Sequence, residues 1–327
     1  MSTQNIALAK AINLALHHQM EAEEKVLVLG EDVGQLGGVF RVTSELKEKF
    51  GSQRVMDTPL GEAGIIGTSI GLALAGYYPV PEIQFDGFVF PAFNQITSQL
   101  AKIHGRTRGT YRVPLTIRLP YGGAVGSVEH HSESPEAYFA HTPGLRVITP
   151  SCAHDAYWML HKAIKHPDPI IFLEPKRRYW AKGNLDLTDH NYNPFQASVL
   201  REGSDLTLAT YGPLVATALA AAQAAQEDGR DLEVIDLKSI SPLDIDTLAA
   251  SVTKTGRLVV AQEASPFVSV SSEVAAAISS RCFYSLEAPV IRLGGFHIPY
   301  PPPRSEKEYL PGIDRILDGV DRSFDYQ

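Results

Sequence analysis

The chain has 327 residues, 44% hydrophobic and 20% charged, with a net charge of −8 and an isoelectric point near 5.8. That length suits two domains of ~150 residues with sizeable cores, and an acidic balance without a basic block argues against nucleic-acid binding. Cys152 and Cys282 lie far apart and suggest neither a disulfide framework nor a cysteine zinc site, while no run of about 18 apolar residues offers a membrane span. The first five residues lead straight into a helical pattern without signal or transit composition, so the cytoplasm is the expected location.

Leu8, Ala11, Ile12, Ala15 and Leu16 recur at helical spacing and predict a helix within 5–24. Residues 25–30 form a short apolar run ending in glycine, which reads as a buried strand. Further helices are expected near 43–50, over the glycine-rich stretch 62–76 and over 91–104, with strands at 80–85 and 114–119. After a loop at 120–133 come a short helix, a strand at 146–148, a helix at 154–166 and a strand at 169–173. Such alternation indicates a parallel sheet covered on both faces. The pattern lapses after 174 into polar, proline- and asparagine-containing sequence.

A second alternation follows, with strands at 205–210, 232–237, 257–262 and 289–293 and helices at 215–226, 245–252 and 272–280. The expected organisation is a first α/β domain at 1–185, a linker at 186–203 and a smaller α/β domain at 204–327. The proline-rich stretch 296–303 is expected to run extended over the surface. No internal repeat of 20–50 residues is present.

Glu62 is a lone carboxylate in Asp57-Thr58-Pro59-Leu60-Gly61-Glu62-Ala63-Gly64, at the start of a helix with almost no other charge. A buried carboxylate needs a partner or a proton, and no Lys or Arg is near in sequence. The plainer alternative is a first-turn acid facing the helix dipole. Gly30-Glu31-Asp32-Val33-Gly34 follows a strand but does not fit a dinucleotide fingerprint, and its carboxylates stand where a pyrophosphate wants N–H donors. No phosphate loop or magnesium-diphosphate motif occurs. Glu129-His130-His131-Ser132-Glu133 closes a glycine-rich loop after a strand, where binding crevices form in parallel sheets. At most one of the adjacent imidazoles faces a given site, either hydrogen-bonding locally or serving as an acid–base group or a binder of a substrate carboxylate. Lys176-Arg177-Arg178 reads as a solvated basic cluster or a contact for an acidic partner. Phe88, after Asp86-Gly87 at a strand end, could offer a flat face to a planar ring.

In order and wording these segments resemble the β subunit of the E1 component of 2-oxo acid dehydrogenase complexes, in the transketolase-like thiamine-diphosphate superfamily. The stretches that carry the likeness are Leu29-Gly30-Glu31-Asp32-Val33, Asp57 to Gly64, Pro81-Glu82-Ile83-Gln84-Phe85, His130-His131-Ser132-Glu133-Ser134-Pro135-Glu136 and Phe139-Ala140-His141-Thr142-Pro143-Gly144-Leu145. Glu233-Val234-Ile235-Asp236-Leu237, Thr255-Gly256-Arg257-Leu258 and Glu287-Ala288-Pro289 extend it through the second half. The resemblance implies a pyrimidine-binding domain followed by a transketolase C-terminal-like domain. It assigns Glu62 to N1′ of the thiamine-diphosphate pyrimidine, Phe88 to stacking on that ring, and Leu60 and Gln84 to its lining. His131 matches the family's active-site histidine, near the reactive carbon and the incoming lipoyl group. A structural potassium site, mainly of backbone carbonyls, would fall at Val113, Leu115, Thr116, Ala163, His166 and Asp168, with His166 where a carboxylate is expected. Glu133 stands where Gln is common, and Phe88 where some branched-chain members have Tyr.

The implied function is oxidative decarboxylation of a 2-oxo acid with acyl transfer to lipoyl groups of an E2 core. The chain would work in an α2β2 heterotetramer whose α subunit holds Mg2+ and the diphosphate. His131-Ser132-Glu133-Ser134-Pro135-Glu136-Ala137 and Phe172-Leu173-Glu174-Pro175-Lys176 favour branched-chain substrates, with pyruvate or acetoin as the alternative. A self-sufficient ketol transferase would need a further diphosphate-binding domain. A subunit that had lost catalysis would not be expected to keep both Glu62 and His131.

Overall fold

A computed structural model describes residues 4–326. The chain divides into two compact units, Met1–Tyr121 with Tyr138–Pro194, and Gly122–Ala137 with Phe195–Gln327. Among the described residues, no helix is long and apolar enough to cross a membrane.

The first unit is built on a parallel sheet of β2 (Val26–Gly30), β3 (Val55–Asp57), β4 (Tyr78–Glu82), β5 (Thr116–Tyr121), β6 (Arg146–Ile148) and β7 (Ile170–Pro175), in the order β6-β7-β5-β4-β2-β3. Valine, isoleucine and leucine fill strands whose residues are almost all buried, as a two-sided sheet requires. Helix α1 (Leu8–Ala22) packs on α6 (Ala153–Ala163), burying the periodic Leu8, Ala11, Ile12, Ala15 and Leu16 completely. Ahead of α1, residues expected to start the helix instead form β1 (Gln4–Ala7). It pairs antiparallel with β8 (Lys182–Leu185), from the polar stretch after 174.

Helices α2 (Leu46–Phe50) and α3 (Glu62–Leu74) follow β2 and β3 in the chain. The expected helix at 91–104 is resolved into a 3-10 segment at Asp86–Ala92, a π-helical segment at Gln95–Leu100 and α4 (Ala101–Arg106). The short helix expected after 133 is α5 (Glu136–Ala140).

In the second unit the strand order is β14-β13-β10-β11-β9, comprising β9 (Ser198–Arg201), β10 (Leu206–Thr210), β11 (Leu232–Asp236), β13 (Leu258–Ala261) and β14 (Ile291–Leu293). All pairings are parallel except β9 with β11, so β9 places an ordered edge strand inside the expected linker. A short strand, β12 (Ser239–Ser241), precedes helix α8 (Ile245–Thr255). Helices α7 (Val215–Glu227) and α9 (Val270–Arg281) match the expected ones. Beyond α10 (Glu306–Tyr309), helix α11 (Ile313–Phe324) was not among the sequence-derived elements. Its Ile316 and Val320 are fully buried with Ala218, Ala222 and Leu293 in the core.

Candidate functional site

Parallel register sets the carboxyl ends of three strands of the first unit level. Gly30 of β2 lies opposite both Asp57 of β3 and Glu82 of β4. The residues just beyond, Glu31, Thr58 and Gln84, therefore share one crevice, where open parallel sheets bind ligands. Asp57 ties the crevice wall by accepting N–H bonds from Gly34 at 2.5 Å and Gln35 at 3.0 Å and pairing with Lys47 at 2.8 Å. The Thr58 N–H donates to Gly30 O at 2.9 Å.

Glu62 begins α3 and is 8% exposed, and no hydrogen bond or ion pair to its carboxylate forms among the described residues. Its neighbour in space is Glu31, whose carboxylate accepts the Gly61 N–H at 3.3 Å. Burial, and then the charge of Glu62, raise the Glu31 carboxyl above its ordinary value. Gln84 donates to Glu31 O at 3.3 Å and Asp32 Oδ2 at 3.2 Å. Thr58 Oγ1 is buried with no hydrogen-bond partner among the described residues. A carboxylate and a hydroxyl held in a crevice without protein partners are what a polar ligand satisfies. Phe88 is half-buried and meets Phe85 edge-on at 5.6 Å, with Phe40 on Phe85 at 5.5 Å behind it. Leu60 is 85% exposed and lines an apolar groove of about 720 Å³ with Gly61, Gly64, Ile65, Thr68 and Leu72.

Sequence reasoning singled out Glu62, Leu60, Gln84 and Phe88, all of which lie at or beside this crevice. Glu31 was not among the site residues expected from the sequence. The charged layer beneath was not expected either. Arg118 on β5 is fully buried and donates to Glu82 at 2.6 Å and to Glu174 at 2.6 and 2.9 Å. Tyr179 donates to Glu174 at 2.6 Å. Burial opposes the Arg118 charge, but Glu174 and Glu82 hold its pKa above the usual value. Lys176, read from sequence as surface, is buried and ion-paired with Asp86.

Asp168, His166, Leu115 and Ala163, four of the residues expected to hold potassium, engage other groups of the chain. The Asp168 carboxylate binds Arg146 at 2.9 Å, and His166 Nδ1 lies 3.1 Å from the Asp168 N. Burial lowers the His166 pKa. The carbonyls of Leu115 and Ala163 accept the N–H groups of Ile170 and His166. What they leave for a cation are second carbonyl lone pairs and Thr116 Oγ1, buried with no hydrogen-bond partner among the described residues, while Val113 is 2% exposed.

His131 belongs to the second unit, in a 3-10 turn at Glu129–His131. His130 points to solvent and pairs with Glu129 at 3.1 Å, whereas His131 is half-buried. Burial raises the Glu133 carboxyl. The loop carrying them closes at its base through Gly122 N–H to Glu133 O at 2.9 Å. The buried Glu136 accepts from Tyr211 at 2.7 Å.

Comparison with known proteins covers almost the whole chain. Residues 4–181 match the transketolase pyrimidine-binding domain and residues 196–316 the transketolase C-terminal domain. The chain is 57% identical to the pyruvate dehydrogenase E1 component subunit beta of Leifsonia xyli, covering 99% of this chain and 96% of that protein. It is 53% identical to the 3-methyl-2-oxobutanoate dehydrogenase subunit beta of Mycobacterium tuberculosis, covering 98% and 92%. Identity to the 2-oxoisovalerate dehydrogenase subunit beta of Bacillus subtilis is 44%, over 94% of each. A solved structure titled split gene transketolase, inactive beta4 tetramer, shares the fold with a TM-score of 0.81 at 21% identity, covering 99% of each chain.

Proposed function

Because the chain belongs to the β subunits of the E1 component of 2-oxo acid dehydrogenases, we propose that it contributes the pyrimidine half of a thiamine-diphosphate site that decarboxylates branched-chain 2-oxo acids. The observation that carries this reading is Glu62, a buried carboxylate with no protein donor or cation on it among the described residues, set beside Glu31. Thiamine diphosphate supplies the carbon nucleophile and electron sink for decarboxylation. Glu62 holds a proton or hydrogen bond at the pyrimidine N1′, and Phe88, braced by Phe85, stacks on the ring. Gln84 and Leu60 line the site. His131 serves the later transfer to the lipoyl group of an E2 partner as a proton donor, a role suited to an imidazole near neutral pH. The diphosphate and its Mg2+ fall to the α subunit, and the cytoplasm is the proposed location.

A branched-chain substrate is preferred on the wording of Phe172-Leu173-Glu174-Pro175-Lys176, where Lys176 is drawn into the buried pair with Asp86. Pyruvate is the second reading, supported by the name of the 57%-identical relative. The test is steady-state turnover of the α2β2 enzyme on 3-methyl-2-oxobutanoate and on pyruvate; higher kcat/KM on pyruvate would overturn the branched-chain assignment. In the same assay Glu62→Gln should lose at least ~10²-fold in kcat, the usual scale for a positioned acid–base group, with assembly intact. Activity like that of the parent protein would remove Glu62 from its role.

A further inference from the structure

The loop bearing His131 is fastened along its first limb by the side chains of Glu263, Tyr300 and Glu306, all within the second unit. Gly123 N–H donates to Glu263 Oε2 at 3.2 Å, Ala124 N–H to Tyr300 Oη at 3.0 Å, and Gly126 N–H to Glu306 Oε2 at 3.1 Å. The Tyr300 hydroxyl in turn donates to Glu306 Oε1 at 2.8 Å. One phenol thus satisfies a loop N–H and orients the carboxylate that satisfies another. The three anchors are 4–9% exposed, so their bonds form away from competing water and are costly to leave unmade.

Local geometry shows a fitted seat. A Cβ on Gly123 would overlap the Tyr300 hydroxyl, and Ala124 is held at φ 61, a conformation that alanine adopts only under external constraint. The Tyr300 ring is fixed independently of its hydroxyl, edge-on to Tyr309 at 5.1 Å in a small core with Leu310. Burial, and then the Glu306 carboxylate, raise the phenol's pKa against the pull of the Ala124 N–H, so it remains a donor at neutral pH. The stretch 296–303, expected to run over the surface, therefore turns one aromatic inward.

We propose that Tyr300, acting through Glu306 and the backbone of Gly123–Gly126, is a positioning residue that sets the His131 loop for acyl transfer to the lipoyl group. This rests on the assignment of His131 given above. A hydrogen-bonded limb restricts a loop that would otherwise sample many conformers, and misplacement by about 1 Å can cost 10²-fold in rate.

The test uses the assembled α2β2 enzyme with Tyr300→Phe, which keeps the ring and removes only the hydroxyl. Amide hydrogen exchange at Gly123, Ala124 and Gly126 should quicken about tenfold. Lipoyl-dependent kcat should fall by about the same factor, while 2-oxo acid decarboxylation read with an artificial electron acceptor, which bypasses the lipoyl group, stays within twofold. In His131→Ala the further change Tyr300→Phe should cost nothing, because residues acting as one unit are not additive. Unchanged exchange in Tyr300→Phe, equal losses in the two assays, or an additive double variant would each overturn the proposal. Should His131→Ala keep full lipoyl activity, the assignment of His131 fails and the proposed positioning fails with it, whereas the fastening of the loop is still judged by exchange.

Discussion

Lys176 and Asp86 pair with both side chains fully out of solvent, and Arg118 bridges Glu82 and Glu174 under the same conditions. Water is excluded, so removing one member of a pair weakens the charge compensation of the other where solvent cannot replace it. Lys176 also lies 5.5 Å from the Phe85 ring that braces Phe88. Lys176→Met is expected to destabilise the chain by about 3–5 kcal/mol, measured by urea unfolding of the purified subunit. Asp86→Ala combined with it should cost less than the sum of the two single changes; simple additivity would show the pair to be uncoupled. In the sequence Arg118 is conspicuous as the charge within the apolar stretch Leu115-Thr116-Ile117-Arg118-Leu119. Its partners were not legible, because Glu82 and Glu174 are 36 and 56 residues away and only strand register brings them level. Lys176 was misread for the same reason: three basic residues in a row look solvated until the fold buries the first.

The interface of α1 and α6 gathers His18 and His161 with Tyr157 and Trp158, while His17 of α1 meets Phe50 edge-on at 5.2 Å. His18 lies 2.7 Å from the Tyr157 hydroxyl, and His161 stacks on Tyr157 at 5.5 Å. Burial lowers all three imidazole pKa values, that of His161 to about 4, helped by Lys162. A folded pKa below the unfolded one means that unfolding takes up protons. The stability that comes from keeping these rings neutral is present above pH 6.5 and is lost as pH falls towards about 4. His161→Phe should therefore reduce proton uptake on unfolding near pH 5 by up to about one proton, flattening the dependence of Tm on pH between 7 and 4.5. An unchanged slope would assign the acid sensitivity elsewhere. The period of α1 was readable from Leu8 to Leu16. The setting of His18 was not, since the helix that faces it lies more than a hundred residues away.

The exposed face of α3 presents Gly64, Thr68 and Gly71, and a Cβ added at Gly64 or Gly71 would meet nothing within 4 Å among the described residues. Close backbone approach along such a face suits an obligate subunit interface. Gly71→Leu separates the two demands. Helix propensity changes by roughly 0.8 kcal/mol in its favour, so the isolated subunit should hold its Tm, while the yield of α2β2 on mixing with the α subunit drops several-fold in size-exclusion chromatography. Normal assembly would place the interface on another face. The isolated chain should turn over no 2-oxo acid until the α subunit is added.

Periodicity and glycine placement determined two successive α/β alternations, because burying a strand on both faces or a helix on one leaves an unmistakable local pattern. The wording around Glu62 and His131 determined the family. Tertiary structure alone decided that Glu31 stands against Glu62, that Arg118 and Lys176 are internal, and that Tyr300 reaches the loop of His131. Each of these is a contact between residues distant in the chain. Their energies depend on burial and strand register, which local sequence cannot encode.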